Sequence, residues 1–158
     1  MILEDDAVLA PHWRAELAQL LEQAPANWDL LLLGWNLDSC LQLEWAGGLG
    51  LTALFQPRWP SQAQLETALA ASGGRRWFRL LKGLGLAGYL VSPAGAARIL
   101  AWALPLRSLP IAAPELPPRA CFSFDGQLNS LYPELSAWAC VPPLVLGAND
   151  KPSSLTAQ

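Results

Sequence analysis

The sequence is poor in charge. Of its 158 residues only 15% are Asp, Glu, Lys or Arg, and Lys plus Arg number ten. Nucleic-acid surfaces carry a basic stripe, so a formal net charge of -3 with so few cations excludes nucleic acid as the expected partner. Cysteine is scarce too. Cys40, Cys121 and Cys140 are odd in number and lack CxxC spacing, which excludes a disulfide framework and a zinc site and leaves them as buried small hydrophobes. His12 is the only histidine, with no second ligand near it in sequence, and reads as a surface residue at a helix start. No apolar run reaches the roughly 18 residues that a spanning helix needs, so no transmembrane segment is expected. The N-terminus also lacks the basic, apolar, small-residue layout of a secretory signal. The expected location is cytoplasmic, with the inner face of the membrane as a peripheral address.

What the chain has is apolar mass. Hydrophobic residues make up 53% and mean hydropathy is +0.25, above an ordinary soluble domain, so some apolar surface is expected to meet a partner. The length suits one domain with a sizeable core, predicted over 1–148, and a flexible polar tail over 149–158.

Taken in order, Pro11 to Pro25 predicts an amphipathic helix, with Trp13, Leu17, Leu20, Leu21 and Ala24 at helical spacing. Asn27 to Gly34 holds four consecutive leucines and predicts a strand covered on both faces. Strand, helix, strand implies an α/β unit. Leu41 to Phe55 alternates in part around Gly47-Gly48 and predicts a hairpin or an excursion, and Ala63 to Ala71 a short helix. The basic stretch Arg75 to Arg79 precedes Gly83-Leu84-Gly85-Leu86-Ala87-Gly88, which matches GxGxxG letter for letter. A dinucleotide fingerprint must open a helix, whereas these glycines lead into the strand Tyr89-Leu90-Val91, so the match carries no cofactor. Ser92 and Pro93 then predict a capped helix over Ala94 to Ala103. Leu104 to Arg119, with five prolines, predicts an irregular surface crossing. Gln127 to Leu131 predicts a turn or two of helix, and Ala137 to Leu146 a final strand.

The most informative stretch is Leu3-Glu4-Asp5-Asp6-Ala7, an apolar lead running into three acids. Adjacent carboxylates at a strand end offer hard oxygens to a divalent cation, and they also describe a solvated turn. The stretch resembles the signature of glycosyltransferase family 25, the lipopolysaccharide-type and collagen-type sugar transferases. Further blocks resemble the family in order: Trp28 to Gly34, Gly88 to Ala96, Phe124-Asp125, Pro142 to Val145 and Ser153-Ser154-Leu155. Together they span nearly the whole chain. Members of the family place a polar pair before the Tyr-containing strand, where this chain has Leu86 and Ala87.

The resemblance implies an α/β fold, a partial GT-A type (Rossmann-like) domain with a mixed sheet containing the acidic strand, Leu30 to Leu33 and Leu90 to Val91. It implies metal-dependent, inverting transfer of a hexose, galactose first among them, from a nucleotide-diphosphate sugar to a glycan or lipid-linked acceptor. Glu4 and Asp6 take the place of the Mn2+ or Mg2+ ligands, with Asp5 on the donor side. Asp125 takes the place of the base that removes the acceptor's proton, and is also readable as a helix N-cap. Trp35 and Asn36, with Asp38, follow a strand end and are expected at the donor pocket, Trp35 being equally suited to packing. Arg75, Arg76 and Arg79 suit phosphate or form a solvated basic face. With only Met1-Ile2-Leu3 ahead of the acids, most of the family's nucleotide-binding part is expected to be missing. Little turnover by the isolated chain, self-association or an upstream partner chain would follow from that. The alternative is a catalytically silent remnant that acts as a binding or partner domain.

Overall fold

The computed structural model describes residues 1–56, 58–70, 74–113, 116–121 and 123–149, and between 111 and 119 only the backbone. Its centre is β3 (Leu30–Gly34), every residue of which is buried. Alternate side chains of a strand face opposite ways. Leu30 and Leu32 accordingly join one core cluster, with Ile99, Leu128, Leu131 and Tyr132, while Leu33 joins another, with Leu17, Leu20, Leu65 and Leu69. Apart from Tyr132, just past the last of them, those partners belong to four helices: α1 (Trp13–Glu22), α2 (Gln62–Ala70), α3 (Pro93–Ala103) and α4 (Phe124–Leu131). The chain is therefore a sheet whose central strands are covered on both faces, α3 and α4 on one side and α1 and α2 on the other. An unbroken run of leucines is the sequence such a strand requires.

Seven strands form the sheet. To β3 are added β1 (Ile2–Leu3), β4 (Cys40–Ala46), β5 (Leu49–Leu54), β6 (Arg76–Gly83), β7 (Gly88–Val91) and β10 (Ala137–Val141), in the order β1-β7-β3-β10-β6-β4-β5. Only β3 and β10 pair in parallel and every other neighbour is antiparallel, so the sheet is mixed. The acidic strand, Leu30 to Leu33 and Leu90 to Val91 do share it. Because β7 runs antiparallel to both its neighbours, β1 and β3 point the same way. Leu3 and Gly34 both face Gly88, so the ends of β1 and β3 adjoin across one residue.

Local chemistry explains the best-defined helix. Ser92 accepts the Gly95 N–H at 2.9 Å, and Pro93 opens α3, where its missing N–H costs nothing. A Cβ on Gly95 would fall 2.2 Å from Asp29 O, so glycine there lets α3 press onto the start of β3. Asp29, 4% exposed, locks the junction by accepting from Arg98 and from Ser136 N, each at 2.9 Å.

Several expectations need correction. The proline-rich crossing is a two-stranded hairpin, β8 (Leu109–Ala113) with β9 (Leu116–Cys121). Both strands are edges, which is where proline's missing donor is tolerated. The basic stretch is the start of β6, a strand whose continuous pairing with β4 and β10 no local pattern announced. The final strand is two. Pro142-Pro143 interrupt it, and β11 (Val145–Gly147) leaves the large sheet to pair with β2 (Ala7–Leu9). Cys121 is half-buried rather than buried, its Sγ beside Ser123 Oγ. The tail expected over 149–158 and the Ser153-Ser154-Leu155 block lie outside the described residues, except for Asn149, which is anchored. No helix among the described residues is long and apolar enough to cross a membrane.

Candidate active site

The three acids occupy a turn between two sheets. Glu4 N–H donates to Ala87 O at 3.1 Å, prolonging the β1–β7 pairing by one residue. Ala7 N–H then reaches back to Glu4 O at 3.2 Å, closing a four-residue turn that swings the chain from β1 into β2. Asp5 sits in the middle of that turn, exposed. Asp6 is held: its backbone O accepts from Ala148 N at 2.9 Å and its Oδ2 from Asn149 N at 2.7 Å. The triplet is thus a turn in which two of the three acids, Glu4 and Asp6, line a cavity.

That cavity measures about 300 Å³ and is lined by Glu4, Asp6, Asn36, Asp38, Trp59, Gly85, Asp125, Gly147 and Asn149. Among these described residues four are carboxylates and none is a cation. Asp125 stands at the second position of α4, with Ser123 at the N-cap, so its carboxylate is free of capping work and accepts from Gly85 N at 2.9 Å. Gly85 adopts φ +84°, and a Cβ there would lie 2.1 Å from Asn36 Oδ1. Only glycine fits between Asn36 and Asp125.

Electrostatics match the crowding. Partial burial of its carboxyl pushes Glu4 above the ordinary carboxylate value, and the negative charges of Asp6 and Asp125 push the same way. A hydrogen bond from the Leu86 backbone opposes them. Tyr89, on β7, is also raised, by burial and then by Glu4. Tyr132 is fully buried and raised further by burial, with Asp125 and Tyr89 adding to it, and its hydroxyl has no hydrogen-bond partner.

Of the seven site residues expected from sequence, Glu4, Asp6, Asn36, Asp38 and Asp125 meet in the cavity, and Asp5 and Trp35 are not among its lining. Trp35 is 3% exposed and packs with Leu30 and Leu32. Arg75, Arg76 and Arg79 also lie elsewhere. Arg75 is buried and bonds Glu16, Leu69 O and Pro143 O, and Arg79 bonds Ala137 O, so neither is a phosphate site nor a solvated face. His12 sits at the N-cap of α1 without a side-chain capping bond.

Sequence reasoning missed Trp59, Gly85, Gly147 and Asn149. Trp59 contributes an indole Nε1 that is buried without a hydrogen-bond partner among the described residues. Asn149 carried a readable signal: it follows Gly147-Ala148 after an apolar strand and takes φ +48°, a conformation Asn tolerates in turns. Trp59 had none, since its place depends on a long connection between β5 and α2.

Among the described residues no group of three or more His, Cys, Asp or Glu could hold a metal ion by itself. Two carboxylates with further oxygens from water and a ligand's phosphates are, however, how Mg2+ is commonly bound. The donor set here is all hard oxygen, and its mutual repulsion is what a cation relieves, so Glu4 and Asp6 fit that role. Compared with protein-family models, with curated proteins and with solved structures, the chain finds no match.

Proposed function

We propose that the cavity is the donor site of a glycosyltransferase of the family 25 kind, in a partial GT-A type domain. The reaction is transfer of a hexose from a nucleotide-diphosphate sugar to a glycan or lipopolysaccharide-type acceptor. One observation carries the reading: residues chosen from three distant blocks of the sequence, Glu4 and Asp6, Asn36, and Asp125, line one cavity that has no cationic side chain among the described residues.

An anionic diphosphate entering among four carboxylates needs its charge offset, and among the described residues lining the cavity there is no Lys or Arg for that. Glu4 and Asp6 would hold Mn2+ or Mg2+, which supplies Lewis-acid neutralisation of the leaving diphosphate. Asp6 is presented for this by the Ala148 and Asn149 N–H groups, which fix its backbone and one carboxylate oxygen. Asp125 takes the proton from the acceptor hydroxyl as that oxygen bonds to the anomeric carbon and the carbon–diphosphate bond breaks. Its Oδ2 is engaged by Gly85, leaving Oδ1 for the proton. Asn36 offers amide donors and acceptors to the sugar.

Calorimetric titration with Mn2+, then with UDP-galactose, tests the reading on wild type and Asp6→Asn, with transfer of radiolabelled hexose followed in parallel. Cation-dependent donor binding that Asp6→Asn loses is the expected result. Equal, weak uptake by both proteins overturns the site. Donor binding without transfer to any acceptor leaves the protein a binding domain.

A further inference from the structure

We infer that Asn129 is a positioning residue for Asp125, acting through the loop Gly83–Gly85. The inference rests on the reading of Asp125 as the proton acceptor. Asn129 is 1% exposed, and a buried amide is costly unless fully bonded. Its Oδ1 accepts from Gly83 N and its Nδ2 donates to Gly83 O, both at 2.8 Å. Nδ2 also lies 3.2 Å from Asp125 O and 3.4 Å from Gly126 O, within the first turn of α4.

Gripping both polar groups of one peptide unit's residue fixes position and tilt together, as a neighbouring strand would. Asp125 and Asn129 are four residues apart and share a face of α4. The loop they grip is held at every residue: Gly83 by Asn129, Leu84 O by Asn36 N at 2.8 Å, and Gly85 N by Asp125 Oδ2 at 2.9 Å. Lys82 Nζ adds a bond to Asn129 O at 3.1 Å. The segment that mimics a dinucleotide fingerprint is thus a strap. Asn129 sets where Gly83 lies, Gly83 sets Gly85 two residues on, and the Gly85 N–H sets the Asp125 carboxylate. A leucine at 129 would fill similar space and set nothing.

Amide spectra of 15N-labelled wild type, Asp125→Asn and Asn129→Leu, recorded from about pH 3 to about pH 8, cover the range in which a carboxylate titrates. In wild type the Gly85 amide proton is expected to follow the titration of Asp125, and in Asp125→Asn to lose it. In folded Asn129→Leu the amplitude should fall severalfold. A folded Asn129→Leu whose Gly85 signal titrates as in wild type overturns the inference. If that variant does not fold, wild type alone decides: the Asn129 side-chain and Gly83 amide protons must move with Gly85, and flat traces sink the coupling. Where wild type transfers hexose, Asn129→Leu should lower kcat about 10- to 100-fold with donor KM within about twofold. An unchanged kcat overturns the positioning role. Wild type that neither binds nor transfers the donor defeats the transferase reading separately, because the spectra need no turnover.

Discussion

Two polar cavities of nearly equal volume, about 300 Å³ at the acidic site and about 290 Å³ beside Arg75, face opposite electrostatic situations. Beside Arg75 the charges are matched. The guanidinium bonds the Glu16 carboxylate, Leu69 O at 2.7 Å and Pro143 O at 3.2 Å, tying α1, the end of α2 and the approach to β11 together. At the acidic site like charges are pressed together, and Glu4 is raised by partial burial first and by the Asp6 and Asp125 charges after it. A buried ion pair is costly to break, whereas a cluster of like charges in a cleft marks a candidate functional site. Volume and polarity alone do not separate the two. The hydrogen-bond inventory does.

Because β3 lies between the core clusters that support both cavities, a charge on it should destroy both. Leu32→Asp would bury an unpaired carboxylate at a fully covered position, costing more than about 4 kcal/mol. That is most of a domain's stability, and no soluble folded protein is expected on expression. A well-folded variant by circular dichroism would show the strand to be uncovered on one side.

Removing Arg75 attacks the matched cavity alone. Arg75→Ala leaves the Glu16 carboxylate and two carbonyls without their donor, and the expected loss is about 3 kcal/mol in urea unfolding. A loss below about 1 kcal/mol would place the pair among ordinary surface ion pairs.

At the acidic cavity the sign reverses. Glu4 has a folded value above its ordinary 4.5, so the native chain holds this proton more tightly than the unfolded chain does. Its contribution to stability is full below pH 4.5 and is lost as pH rises through the raised value. Glu4→Gln should therefore melt higher than wild type at neutral pH, by about 2 °C given the solvent screening of an exposed group. The gap should close as pH falls below 4.5. A lower melting temperature at neutral pH would mean that the Glu4 charge is already compensated by the protein.

The smallest effect is chemical. Burial pushes the Cys140 thiol up to about 12, with the Arg75 charge opposing and the Glu16 charge reinforcing it. Cys40 is raised by burial as well, while Cys121 is half-buried near the surface. One thiol, Cys121, should react with a thiol reagent in the native protein, and Arg75→Ala should add Cys140 as that cavity opens. Equal labelling of all three in wild type would contradict the closed cavity.

How much of this was legible depends on the range of the forces involved. The leucine run of β3, the Ser92-Pro93 start of α3 and the β4–β5 hairpin turned on Gly47-Gly48 are written in neighbouring residues. β6 was not legible. Its Arg-Trp-Phe-Arg start looks like a surface patch until β4 and β10 flank it and Ala137 O takes up Arg79. At the site, Glu4, Asp6, Asn36 and Asp125 were visible as candidates by residue type and by resemblance. Asn129 was hidden because a mid-helix asparagine has no local mark of what it grips.

By itself, then, the sequence determined the α/β character, the doubly covered central strand and the supply of carboxylates, since periodicity, capping and composition act within a few residues. Tertiary structure alone decided that Asp6 and Asn149, 143 residues apart, share a hydrogen bond. It alone decided too that Pro142-Pro143 divides one apolar run between two sheets, and that a glycine strap joins Asp125 to Asn129. Such contacts depend on strand order, because loop closure costs nearly the same entropy for many alternative pairings and the burial of both faces of the central strands selects among them.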